Sequence, residues 1–136
     1  MTEVFADSFY WIALLNPADA FHKAALRTPV SGQIVTSLAV QMEVLDAFAT
    51  TSSLRPSALH FWQCTTHDPQ VTVIPLDPAL LDRAMELLKA RMDKAWSFTD
   101  CISFEIMRQR GIVQALSADH HFRQAGFQTL FDSTDV

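Results

Sequence analysis

Apolar residues in this chain come in short bursts, and the polar residues between them carry the signals that start and stop each element. Val4-Phe5-Ala6 has the pattern of a buried strand running into Asp7, after which Ser8 can cap an apolar helix from Phe9 to Leu15. Asn16-Pro17 stops that helix. A second is expected from Ala18 or Asp19 to about Arg27, broken by Pro29 and a turn at Ser31-Gly32. Gln33 to Thr36 reads as a second strand, and Ser37 caps a helix whose inward stripe is Leu38, Met42, Leu45 and Ala49, with Glu43 on its flank. The polar run Thr50 to Ser53 closes it, and Leu54 to about Thr65 forms the next helix. Val71-Thr72-Val73-Ile74 is the strand marked most clearly by β-branching. Asp77-Pro78 then opens a helix in the usual order of cap and proline, with Leu80, Leu81, Ala84, Leu87 and Leu88 facing inward.

The stretch Trp96 to Phe104 organises the rest. Ser97 followed three residues later by Asp100 is a capping box, because a hydroxyl and a carboxylate at that spacing satisfy the free N–H groups of a first helical turn. The helix expected from about Phe98 to Arg110, ended by Gly111, carries Cys101, Ile102, Phe104, Ile106 and Met107 almost all round its circumference, so most of it must be buried. Ile112 to Leu116 is a fourth strand, Asp119 to Ala125 a short helix stopped by Gly126, and Gln128 to Phe131 a last strand.

Short apolar strands alternating with helices predict a parallel sheet covered on both faces. In such sheets ligands gather beyond the carboxyl ends of the strands, where the winding direction reverses. Asp7 ends the first strand, Glu43 lies in the helix after the second, and Asp119 follows the fourth. The helix before the fourth strand runs antiparallel to it, which returns Asp100 to the same edge. These four carboxylates converge if the second and fourth strands flank the first.

Composition narrows the setting. With 136 residues, 49% of them hydrophobic, one core is expected in a single domain spanning 1–136. The longest apolar run, Phe9 to Leu15, is far short of the roughly 20 residues needed to cross a bilayer, and Glu3 and Asp7 stand where a signal sequence would be basic and then apolar. A cytoplasmic protein with no membrane partner is the expectation. Cys64 and Cys101 show no C-x-x-C or Cys/His spacing and are read as reduced, buried thiols. The net charge of -5 argues against a nucleic-acid partner, unless the acids are gathered at one site. With four of the 15 acids set aside, the remaining 11 nearly balance the 10 bases. Arg83, Lys89, Arg91 and Lys94 fall in one stretch directly before the capping box, where Arg91 or Lys94 could hold a nucleic-acid backbone.

Bare carboxylates about 4 Å apart repel by roughly 4 kcal/mol per pair at an effective dielectric near 20, so a converged group needs a cation or shared protons. With oxygen ligands and no histidine or cysteine at metal spacing, the hard ions Mg2+ or Mn2+ fit better than zinc. Asp77 also follows a strand but is read as a plain cap. Glu105 lies about 140° round the helix from Asp100 and roughly 7.5 Å along it, which excludes it from the cluster. His120 and His121, adjacent on a helix, are expected to face different ways and so not to flank one phosphate. His22, His60 and His67 show no partner spacing, and Trp11, Trp62 and Trp96 are read as packing residues, with Trp96 entering the site loop.

Together, Phe5-Ala6-Asp7-Ser8, the helix-borne Glu43 after Thr36-Ser37, Ser97-Phe98-Thr99-Asp100-Cys101 and Ala118-Asp119-His120-His121-Phe122 with Ala125-Gly126-Phe127 resemble a PIN domain. More narrowly, they resemble the toxin ribonuclease of VapBC-type toxin-antitoxin pairs. The resemblance covers essentially the whole chain. It implies a three-layer α/β sandwich whose five-stranded parallel sheet has the order 3-2-1-4-5. It also implies Mg2+- or Mn2+-dependent endoribonuclease activity, with Asp7, Glu43, Asp100 and Asp119 in the acidic positions and Ser8 and Thr99 as supporting hydroxyls. A cognate antitoxin and a homodimer are further implications. A free-standing PIN nuclease in RNA processing and a non-catalytic metal- or RNA-binding module remain alternatives. A phosphoacceptor receiver domain is a third, but no lysine occurs after Lys94 to serve it.

Overall fold

The computed structural model describes residues 2–132 and Thr134. The described chain runs β1 (Glu3–Ala6), α1 (Ser8–Leu15), α2 (His22–Arg27), β2 (Gln33–Ser37), α3 (Leu38–Ala47), α4 (Arg55–His67), β3 (Val71–Ile74), α5 (Pro78–Ala90), α6 (Phe98–Arg110), β4 (Gln114–Leu116), α7 (His120–Gln124) and β5 (Gln128–Thr129). One five-stranded sheet has the order β3-β2-β1-β4-β5, and every pairing is parallel. The fold is the expected α/β sandwich with helices flanking the sheet. Because β1 lies between β2 and β4, the winding direction reverses beside it, and all carboxyl ends open on one edge.

Packing holds that edge in register. Phe5, Val35, Ala115 and Leu116 are completely buried in the three central strands. Thr36, also fully buried, donates from Oγ1 to the Ala6 carbonyl at 2.9 Å and accepts from Trp11 Nε1 at 3.4 Å, which fastens the end of β2 to the end of β1. Helix α6 spans the predicted residues. Its capping box is formed in both directions, Ser97 Oγ accepting from the Asp100 N–H and Asp100 Oδ2 from the Ser97 N–H, each at 3.0 Å. Cys101 through Met107 are all buried. Burial, with the charges of Asp100 and Glu105 nearby, pushes the Cys101 thiol up to about 11, so it stays protonated. Phe104 packs edge-on against Trp96 and Phe122, each with centroids 5.0 Å away, and lies 5.8 Å from Phe127. Aromatic pairs of this kind add about 0.5–1.5 kcal/mol each beyond area burial, and here they tie the loop before α6 to α7.

Several predicted details shift. Ile112 belongs to the α6 cap rather than to β4: Gly111 adopts φ 67° and the Ile112 N–H bonds the Met107 carbonyl at 2.9 Å, a Schellman closure. Helix α2 begins at His22 because the Asn16 and Asp19 side chains accept from the Ala18 and Phe21 amides, holding that stretch in turns. Regular β5 stops at Thr129, although Leu130 and Phe131 still donate to Ala115 and Ser117. The inward stripe of α3 is rotated from the expected one. Met42 is 49% exposed, and the helix instead buries Val40, Gln41 and Val44, with Phe48 beyond its end. Gln41 Nε2 donates to Thr65 Oγ1 of α4 at 2.9 Å, so the amide that this face buries beside Val40 and Val44 has its partner. Cys101 is buried as expected, but Cys64 is exposed, since α4 turns Ala58, Phe61 and Thr65 inward. His60 Nε2 stands 3.2 Å from Cys64 Sγ, a partner four residues away that the spacing expectation overlooked.

Candidate metal centre

The site begins with Asp7, the residue at which β1 ends and α1 starts. It is 5% exposed. Ser117 Oγ, at the end of β4, donates to Asp7 Oδ2 at 3.1 Å, and Ser8 Oγ lies 3.5 Å from Asp7 Oδ1. Ser8 also donates to Glu43 Oε1, so one hydroxyl joins the acid after β1 to the acid carried on α3. Burial, followed by the charges of Asp100 and Glu43, pushes Asp7 from 3.8 up to about 7, against the opposing hydrogen bonds from Ser8 and Ser117.

Asp119 and Asp100 complete the edge. Ser117 Oγ accepts from the Asp119 N–H at 3.0 Å, and Asp119 Oδ1 caps α7 by accepting from the His121 N–H at 2.9 Å. His121 Nδ1 then lies 3.1 Å from Asp100 Oδ2 and 3.4 Å from Asp119 Oδ1. Asp100 therefore caps α6 and faces the cluster at once. Thr99 lines a groove with Met42, Glu43, Leu81, Phe98 and Ile102, and its carbonyl accepts from Ser103 Oγ. Arg91 and Lys94 stand in the loop before α6. Arg91 makes a bidentate pair with Asp93 at 2.9 and 3.0 Å, and its guanidinium lies 5.2 Å over the Trp96 ring. Lys94 Nζ is 3.9 Å from Asp93.

Two expected bystanders stay outside. Asp77 caps α5, accepting from the Leu80 N–H at 2.8 Å, and Glu105 pairs with Arg108. The histidines overturn their expectation. One donor atom each from Asp119, His120 and His121 falls within 4.8 Å of the others, a group capable of holding a divalent ion. The two imidazoles lie side by side, with centroids 4.4 Å apart. They occupy the first two positions of α7, where the capping carboxylate curls back toward the second amide and stands beside both rings. Sequence reasoning missed His121 and Ser117. Both carry a local signal: a histidine two residues after a capping aspartate, and a hydroxyl two residues before it.

This fold and this edge define a nuclease-like class, and sequence comparison assigns it: residues 4–128 match the PIN domain family, to which the chain belongs. It is 30% identical over 126 residues to the 23S rRNA-specific endonuclease VapC20 of Mycobacterium tuberculosis, covering 91% of this chain and 95% of that protein. The crystal structure of VapC20, described as a sarcin-ricin loop cleaving toxin, superposes with a TM-score of 0.82 at 29% identity over the same shares of the two chains. FitAcB from Neisseria gonorrhoeae shares the fold, with a TM-score of 0.64 at 15% identity over 94% of this chain and 96% of that one. Among the described residues, no helix is long and apolar enough to cross a membrane.

Proposed function

We propose that this protein is an Mg2+- or Mn2+-dependent endoribonuclease acting as the toxin of a toxin-antitoxin pair. The observation that carries the reading is the placement of Asp7, a buried carboxyl joined to Glu43 through Ser8 and to Asp119 through Ser117, where burial and the neighbouring charges of Asp100 and Glu43 push it up to about 7. A carboxylate group in that state fits a divalent cation, which would relieve the repulsion and share the oxygen donors. When bound, such an ion supplies Lewis-acid stabilisation of the charge developing during attack on the phosphodiester. Asp7 and Asp100 would hold the ion, while Glu43 and Asp119 would orient the attacking water and receive its proton. Ser8 keeps Glu43 directed at the cluster. Thr99 supports the third acid from the groove wall. Arg91 and Lys94 meet the RNA backbone, exchanging their ion pairs with Asp93 for phosphates.

Water attack leaves the ribose 2′-oxygen uninvolved, so the products should carry a 5′-phosphate and a 3′-hydroxyl. The 23S rRNA named for the VapC20 relative is the first substrate to test, by mapping cleavage ends with Mn2+ and with excess EDTA. Ends bearing a 2′,3′-cyclic phosphate, or undiminished cleavage in EDTA, would reject the metal mechanism. The toxin reading also requires an antitoxin that covers the acidic groove, with an arginine fork as a cation substitute. It requires a homodimer as well. Co-expression with a neighbouring small gene product should relieve toxicity, and light scattering should give twice the chain mass. A cytoplasmic nuclease whose toxicity no such product relieves would be a free-standing enzyme instead.

A further inference from the structure

His121 supplies a donor for which a hard divalent ion has no preference. Its Nδ1 stands between Asp100 Oδ2 at 3.1 Å and Asp119 Oδ1 at 3.4 Å, and His120 Nδ1 lies 3.7 Å from that same Asp119 oxygen. The arrangement is built in: Asp119 grips the His121 main-chain N–H, and His121 is only 20% exposed at its side chain. The three donor atoms lie within 4.8 Å of one another, and the side chains must rotate to bring them onto an ion with bonds of about 2.0–2.2 Å. The other half of the edge, Asp7 with Glu43, Ser8 and Ser117, offers oxygen alone. Mg2+ favours oxygen and gives up water reluctantly, whereas imidazole suits zinc and its neighbours in the transition series.

We propose that Asp119, His120 and His121, with Asp100 in reach, form a mixed imidazole and carboxylate site that takes a borderline transition ion of the Zn2+ or Co2+ type in preference to Mg2+. The proposal rests on the reading of this edge as a cation site, and its test reads binding rather than cleavage. Because the exposed His60 and Cys64 pair could take zinc independently, the titrations are made in a Cys64→Ser background.

In calorimetry of the metal-free protein, Zn2+ should bind about a hundredfold or more tighter than Mg2+. His121→Phe should weaken Zn2+ by about tenfold or more and Mg2+ by less than about twofold. Equal Zn2+ affinity in parent and variant, or equal losses for both ions, overturns the assignment. A second measurement needs no substitution at the site. With Co2+ bound, the proton NMR spectrum should contain a hyperfine-shifted, exchangeable imidazole N–H resonance, and its absence overturns the proposal. Cleavage with Mn2+ but no such resonance would remove this site and leave the nuclease. The resonance without cleavage by any ion would keep the site and remove the nuclease.

Discussion

Glu105, in the middle of α6, and Asp7, at the end of β1, are buried to nearly the same degree, at 3% and 5% exposure, in opposite surroundings. Glu105 has a base on its own helix, Arg108, one turn away. Asp7 has two hydroxyls and two more acids, and its carboxyl is driven up to about 7. A buried acid paired with a base is a finished structural element, whereas a buried acid among acids is completed only by a proton or a cation. The difference separates the stabilising part of α6 from the candidate metal-binding edge to which its first turn belongs.

The largest expected contrast is in activity. Asp100→Asn keeps a capping side chain of nearly equal quality but removes one charge, so cleavage with Mn2+ should fall by a factor on the order of a hundred or more. Its melting temperature without metal should equal or exceed the parent's, because repulsion on Asp7 is relieved. A variant that melts well below the parent, and loses activity only with its folded fraction, would make Asp100 a cap alone.

Stability against pH comes next. A folded pKa of about 7, against 3.8 in the unfolded chain, means the folded state holds the Asp7 proton more tightly. The stabilisation is complete below the unfolded value and is lost as pH rises through the folded one, at up to about 1.4 kcal/mol per pH unit in that window. Chemical denaturation of the metal-free protein between pH 4 and 8 should show this decline, and Asp7→Asn should flatten it. A flat parent profile would place Asp7 in ordinary carboxylate surroundings.

Glu105 gives the opposite contrast, since removing its base should harm folding and not chemistry. Arg108→Ala should cost about 1–3 kcal/mol in urea denaturation, with cleavage per folded molecule unchanged. A selective loss of turnover would join Glu105 to the site. The smallest effect is expected at the far end of α6: Gly111→Ala meets open space but adopts φ 67°, so it should lose about 1 kcal/mol through backbone strain alone.

What could be read without the structure was local. Ser97 and Asp100 stand three residues apart, Gly111 closes the same helix, and Asp77-Pro78 opens another; each signal acts within one turn, where chain geometry leaves little choice. Asp7, Glu43 and Asp119 were legible as residues following strands. Their common edge follows from parallel alternation, and the order that places β1 between β2 and β4 came from family resemblance rather than from residue pattern.

Tertiary structure alone decided which distant groups meet. Gln41, which α3 turns inward, finds its partner in Thr65 of another helix, and no periodicity within α3 contains that partner. Likewise, the sequence by itself determined that Asp100 caps α6 and Asp119 precedes α7, because both acids act on amides two or three residues away. That an imidazole stands between those two acids was decided by the packing of Phe104 on Phe122, which brings the first turns of α6 and α7 together across 21 residues of chain. A hydrogen bond of that span requires the whole core to form, so its chemistry is a property of the fold rather than of the local sequence.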